Sequence, residues 1–197
     1  ASNKFKDDEE VASEAMDNYP CAFQYASERI RELKSFAIQA VMEDGMLLDF
    51  VIGDTREDID VIQIAITQTQ EVFTILPQKY QDDPELIKIA LLEHGDDNQH
   101  LNFNIERDWD LIQTILEEDP DNYGKLNASL KIIPCLVELV ETKYPSQLSK
   151  IPVSYLREND DLARKIVINE PLKLGNCSSN LMEDEELCLE LLKKDAS

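Results

Sequence analysis

Few residues in the chain are of the types that do chemistry, and their spacing decides what they could be. His94 and His100 lie in HGDDNQH beside Glu93, but a spacing of six across Gly95 matches neither a zinc pattern nor a turn of helix. Asp119, Asp121 and Gly124 open like a calcium loop. Tyr123 and Leu130 then stand where an oxygen ligand and a bidentate glutamate are needed. A nucleophilic Ser or Cys would need a histidine partner, and both histidines sit in one segment between helices with no nucleophile elbow nearby. The 5 glycines are scattered singly, so no loop cradles phosphate. Paired carboxylates abound in so acidic a chain and say nothing about acid–base work. Asn127-Ala-Ser129 and Asn176-Cys-Ser178 match the glycosylation sequon, which carries no information in a cytosolic chain. The expectation is no catalytic residue, no metal and no cofactor.

What these residues do offer is surface. Asp and Glu number 41 against 19 Lys and Arg, a net charge of -22 and a pI near 4.3. That charge repels phosphate backbones and anionic membranes, so nucleic-acid and membrane partners are disfavoured and a protein partner is left. The acids serve either to keep an exposed chain soluble or to recruit a basic surface. Cys21, Cys135, Cys177 and Cys188 form no CxxC pair and fall in or beside apolar columns, as small buried hydrophobes of a reducing compartment do. No apolar run is long enough to span a membrane, and the polar start shows no secretory signal. A cytoplasmic monomer is expected.

The elements that position these residues recur. Ala15, Ala40, Ala65, Ala90, Ile115 and Val140 stand 25 apart, followed after one extra residue by Ile166 and Leu191. Around each anchor, apolar residues fall on one helical face, as Val61, Ile62, Ala65 and Ile66 do. Glu141 alone breaks that face. Five residues after the anchors come Pro20, Gly45, Gln70, Gly95, Pro120, Pro145 and Pro171, nearly all helix breakers. A second, shorter helix with one apolar stripe then follows, as in Phe23, Ala26 and Ile30. Seven residues before the anchors, Asp8, Asp58, Asp83, Asp108, Asn159 and Asp184 are placed to cap the first turn; Leu33 and Ile133 are the exceptions.

A period of this length predicts stacked units that share one continuous core. The expected fold is all-α, a right-handed α-solenoid of seven helical hairpins plus a terminal helix. It forms one domain over residues 8–194, between tails at 1–7 and 195–197. If the hairpins stack in parallel, Asp58, Asp60, Asp83, Glu85, Asp108 and Asp110 line one edge as an uninterrupted acidic ridge. Trp109 stands within it near the surface as a hot-spot candidate. These seven residues are the expected contact for a partner. The competing readings are an acidic mimic of nucleic acid that occupies a basic protein surface and, third, an enzyme with an unrecognised site.

Tyr25-Ala26-Ser27-Glu28 and Ala40-Val41-Met42-Glu43-Asp44-Gly45 resemble motifs of the helical repeat family named domain of unknown function 4116. In that family two units of about 25 residues make one repeat. The resemblance covers the chain by spacing and thins beyond the fourth unit. It implies an interaction module with no catalytic residues, of a kind found in effectors secreted by bacteria that live inside eukaryotic cells. The run Glu183–Glu190 also resembles the glutamate-rich tails of type IV secretion substrates, although the capping column explains the same acids. As an effector, the chain would reach a host cytosol without a classical signal peptide.

Overall fold

The computed structural model describes residues 3–94, 101 and 103–195, and side chains within 4–94, 101 and 103–193. Among them the chain is all-helical, with no strand. The long helices, numbered in chain order, are α1 (Glu9–Asn18), α2 (Lys34–Glu43), α3 (Ile59–Gln68), α4 (Pro84–Glu93), α5 (Trp109–Glu118), α6 (Pro134–Lys143), α7 (Asp160–Asn169) and α8 (Glu185–Asp195). Each of the first seven is 10 residues long and α8 is 11.

One hydrogen bond sets that length. The amides of Tyr19, Asp44, Thr69, His94, Asp119, Tyr144 and Glu170 donate to the carbonyls of Ala15, Ala40, Ala65, Ala90, Ile115, Val140 and Ile166. The anchors are therefore the last carbonyls used by each helix. The residue that follows the C-cap, proline at four of the six described positions, begins a 3-10 segment instead.

The second arm of each unit differs from a single helix. In the first unit a 3-10 segment (Pro20–Tyr25) ends at extended Ala26, and Ser27 then caps a short helix (Glu28–Glu32) through its hydroxyl to the Ile30 amide, 3.3 Å. The same break recurs where Asn127 caps Ala128–Lys131, where Ser178 caps Ser179–Met182, and where Pro77 and Pro152 precede Gln78–Gln81 and Val153–Leu156. A Ser, Asn or Pro after the apolar residue of the second arm is the sequence signal for this break. Both sequon motifs contain such caps. The second arm of the fourth unit lies largely outside the described residues.

The capping column is present with two differences. Asp8, Asp58, Asp83 and Asp184 accept first-turn amides through their carboxylates. Asn159 makes no side-chain cap; its amide donates to the Tyr155 carbonyl at 2.7 Å. Asp108 takes the cap position through its backbone, but its carboxylate accepts from the Asn104 amide and from Arg107. Asp83→Ala is expected to cost about 1 kcal/mol, because it orphans two amides at once. Urea unfolding followed by circular dichroism measures it.

The chain divides into two compact units, residues 1–114 and 115–197. In the first, α2, α3 and α4 pack in succession over a core that includes Phe23, Ile30, Leu48, Ile62, Ile66, Phe73, Leu86 and Leu91. Gly45 lies so close to the Ala65 carbonyl that an added Cβ would meet its oxygen at 2.3 Å. The His94 ring Nε2 lies 2.6 Å from the Ile66 carbonyl at the end of α3, which gives that histidine a structural role. His100 is outside the described residues. In the second unit, Tyr123 is fully buried and its hydroxyl donates to the Lys131 carbonyl at 2.9 Å. Burial pushes that phenol well above its ordinary range. Asn122 donates to the Ile115 carbonyl and Asp119 caps its own 3-10 segment, so the calcium-like run is held by structural bonds. Glu141, which broke the apolar face, pairs with Lys165 of α7.

All four cysteines are free, but only Cys177 is buried and Cys188 half-buried. Cys21 and Cys135 are exposed, against the expectation of small core residues. Both stand at the second position of a helical segment, in columns where most other units carry Glu, Asp or Ser. Among the described residues no helix is long and apolar enough to cross a membrane.

Candidate partner-binding edge

The edge is built from the first turns of α3, α4 and α5, all within the first compact unit. Each start repeats one arrangement: a half-buried acid at the cap position (Asp58, Asp83, Asp108) and an exposed acid two residues on (Asp60, Glu85, Asp110). Aspartate is favoured here because its short carboxylate reaches first-turn amides, and the second acid faces the positive end of the helix dipole.

The expected uninterrupted ridge is interrupted by built-in cations. Lys34, the first residue of α2, places its Nζ 2.8 Å from Asp58 and 2.6 Å from Asp60. Its ammonium holds the Asp58 carboxyl below the usual carboxylate range, while its own pKa is raised by the two acids. Arg107 grips Asp108 with a two-point fork, Nε to Oδ1 at 2.7 Å and an Nη to Oδ2 at 2.8 Å. It lowers that carboxyl too. Asn104 completes the turn: its amide donates to Asp108, and its own side-chain oxygen accepts from Glu106 and Arg107. Asp83 is engaged by amides, leaving Glu85 and Asp110 as exposed acids without an intervening lysine or arginine in the bonds described.

Trp109 is half-buried at the first position of α5, between the fork and Asp110. Between α4 and α5 lies an open groove of about 320 Å³. Its floor is Pro84, Ile87 and Leu111; its rim is Asp82, Glu85, Asp108, Asp110 and Arg107. The structure thus brings Glu85, Asp108 and Asp110 around one depression and places Asp58 and Asp60 at a separate, lysine-bridged position. Lys34, Arg107 and Asn104 were missed by sequence reasoning. A signal existed for Lys34: a cation at a helix N-terminus opposes the dipole and needs an acid from a neighbouring element.

No group of three His, Cys, Asp or Glu among the described residues is arranged to hold a metal. A family model described as Domain of unknown function (DUF4116) matches residues 1–31. The matched stretch contains Tyr25-Ala26-Ser27-Glu28 and ends before Ala40–Gly45. No curated protein and no solved structure compared with the chain matches it.

Proposed function

We propose that the protein is a non-catalytic interaction scaffold, a solenoid of helical repeats whose α4–α5 groove receives a basic side chain of a protein partner. The observation that carries this reading is the groove itself, in which an apolar floor lies under an acidic rim. A lysine or arginine has the matching shape, an aliphatic stem that covers apolar surface and a charged head that reaches the carboxylates. The recurrence of the seven C-cap bonds supports the repeat architecture. Nucleic-acid mimicry is the weaker reading, because Lys34 and Arg107 break the even row of negative charge that would imitate a phosphate backbone. An effector role in a host cytosol rests on the family resemblance alone.

The test uses a Lys/Arg-rich peptide as probe, with binding followed by stopped-flow fluorescence of Trp109, the one tryptophan of the chain. Glu85→Gln with Asp110→Asn is expected to weaken binding about tenfold, mainly through the association rate, and less so at high salt. Leu111→Ser is expected to raise the dissociation rate instead. Unchanged affinity in both variants would place the contact elsewhere and remove this groove from the reading.

A further inference from the structure

One step of the repeat supplies a lysine to a pair of acids, and the next step has an isoleucine in that lysine's place. The first residue of α2, Lys34, sets its Nζ between Oδ2 of Asp58 and Oδ2 of Asp60 at the start of α3, 2.8 and 2.6 Å away. Asp58 divides its oxygens, Oδ1 accepting the Asp60 amide and Oδ2 taking the ammonium. In the following unit the same columns hold Ile59, Asp83 and Glu85, and α3 packs on α4 as α2 packs on α3. Oδ1 of Asp83 accepts both the Glu85 and Leu86 amides, at 3.0 and 3.2 Å. Its Oδ2 and the exposed Glu85 carboxylate bond to no lysine or arginine among the described residues. Beside them Ile59 is 44% exposed.

The chain's own pairings identify the occupant. Aspartates of this capping column hold a cation elsewhere: Asp58 holds Lys34, Asp108 holds Arg107 and Asp184 holds Arg164. Lys79, on the short helix that leads into α4, is engaged by Glu57 at 2.6 Å and does not serve Asp83. The geometry selects lysine over arginine. Lys34 shows one compact ammonium meeting carboxylates of two residues, whereas a planar guanidinium favours both oxygens of a single carboxylate, as Arg107 does on Asp108. The methylene stem of a lysine also covers apolar surface while its head stays among the acids, which suits the exposed Ile59.

We infer that the α3–α4 step docks a lysine side chain of a protein partner, its stem lying on Ile59 and its ammonium meeting Asp83 and Glu85 as Lys34 meets Asp58 and Asp60. This rests on the reading of a basic protein partner but not on the α4–α5 groove, with which the step shares Glu85 and no other residue of the contact. The two contacts also differ in kind. The groove offers a depression between two helices, whereas this step offers a pair of acids that one repeat earlier is filled from within the chain.

The experiment mixes the full chain with an N-acetylated lysine-rich peptide, couples carboxylates to amines in contact with a carbodiimide, and maps the links by mass spectrometry. Links from Lys34 to Asp58 or Asp60 serve as the internal reference. Peptide links are expected at Asp83 and Glu85. Ile59→Lys supplies the ammonium from within and is expected to lower those links about fivefold, as loss of an exposed ion pair does, with a link inside the chain in their place. Ile59→Gln, polar but uncharged, keeps most of them. Lys34→Met does the reverse and opens Asp58 and Asp60 to the peptide. Both positions are exposed at the first residue of a helix, so the variants keep their fold, checked by circular dichroism. Peptide links spread evenly over the exposed acids, or links at Asp83 that Ile59→Lys leaves unchanged, overturn the inference. Asp110→Asn and Leu111→Ser alter the groove alone and should preserve the links at Asp83; their loss would assign the peptide to the groove and overturn the inference too. Groove variants with unchanged affinity, beside an effective Ile59→Lys, remove the groove and keep this site.

Discussion

Ala65→Glu is expected to unfold the first compact unit at temperatures where the parent chain is fully folded. Ala65 has 0% exposure at the centre of α3, between α2 and α4, and its neighbours there include Ile62 and Ile66, also at 0%. A glutamate at that position has no cation to meet and no path to water. It either stays neutral at a large cost in proton affinity or forces the helices apart. The expected loss is about 4 kcal/mol or more, a large part of the stability of an ordinary domain. Thermal and urea unfolding monitored by circular dichroism read it. An unfolding midpoint close to that of the parent would mean that the anchor alanines are not the tight contact described. Ala65→Ser, nearly the same size, separates charge from mere substitution and is expected to cost far less.

Gly45→Ala is expected to be the second most damaging change, although glycine to alanine stabilises by about 0.4–1 kcal/mol where the backbone allows it. Conformation gives no reason to fear it, because Gly53 is the residue with positive φ among those described. Contact does. The new Cβ would lie 2.3 Å from the Ala65 carbonyl oxygen, 3.1 Å from its carbon and 3.2 Å from Val72 Cγ2. The first two are backbone atoms of α3 and cannot swing aside. Separation of the 3-10 segment from α3 is expected to cost about 3 kcal/mol, the upper part of the usual range for overpacking. Gly175→Ala, where nothing lies within 4 Å of the added carbon, is the matched control and should lose none of this. Equal behaviour of the two variants would show that the close approach at Gly45 has no energetic weight.

The two substitutions probe two columns that were legible in the sequence, the anchors and the breakers, and the reason is physical. The anchor alanines, the breakers after them and the acids before them act through bonds a few residues long, so their period survives in a linear reading. Breakage of the second arm did not survive it. Phe23 and Ala26 are three residues apart, a step that fits an α-helix and a 3-10 segment equally, and only Ser27 and its counterparts Pro77, Asn127, Pro152 and Ser178 mark the interruption. The ridge was half legible. Each acid could be placed from its own helix, but Lys34 reaches Asp60 across 26 residues of chain, and no local rule predicts which neighbour a long flexible cation selects. Arg107 was hidden differently: its fork closes on the adjacent residue, Asp108, which the capping rule had already assigned to the helix amides.

The step from α6 to α7 is one residue longer than the others, yet α7 keeps its ten residues and its closing bond from Glu170 to Ile166. The surplus lies in the turn after the short helix: Ala128–Lys131 and Val153–Leu156 are 4 residues each, but Ile132 and Ile133 lead into α6 whereas Arg157, Glu158 and Asn159 lead into α7. The turns between short and long helices, with no hydrogen-bond ladder to protect, are thus where the chain can gain or lose a residue without disturbing what lies on either side. In lineages of such chains, changes of length should collect at those joints, while the long helices drift in composition and hold their count.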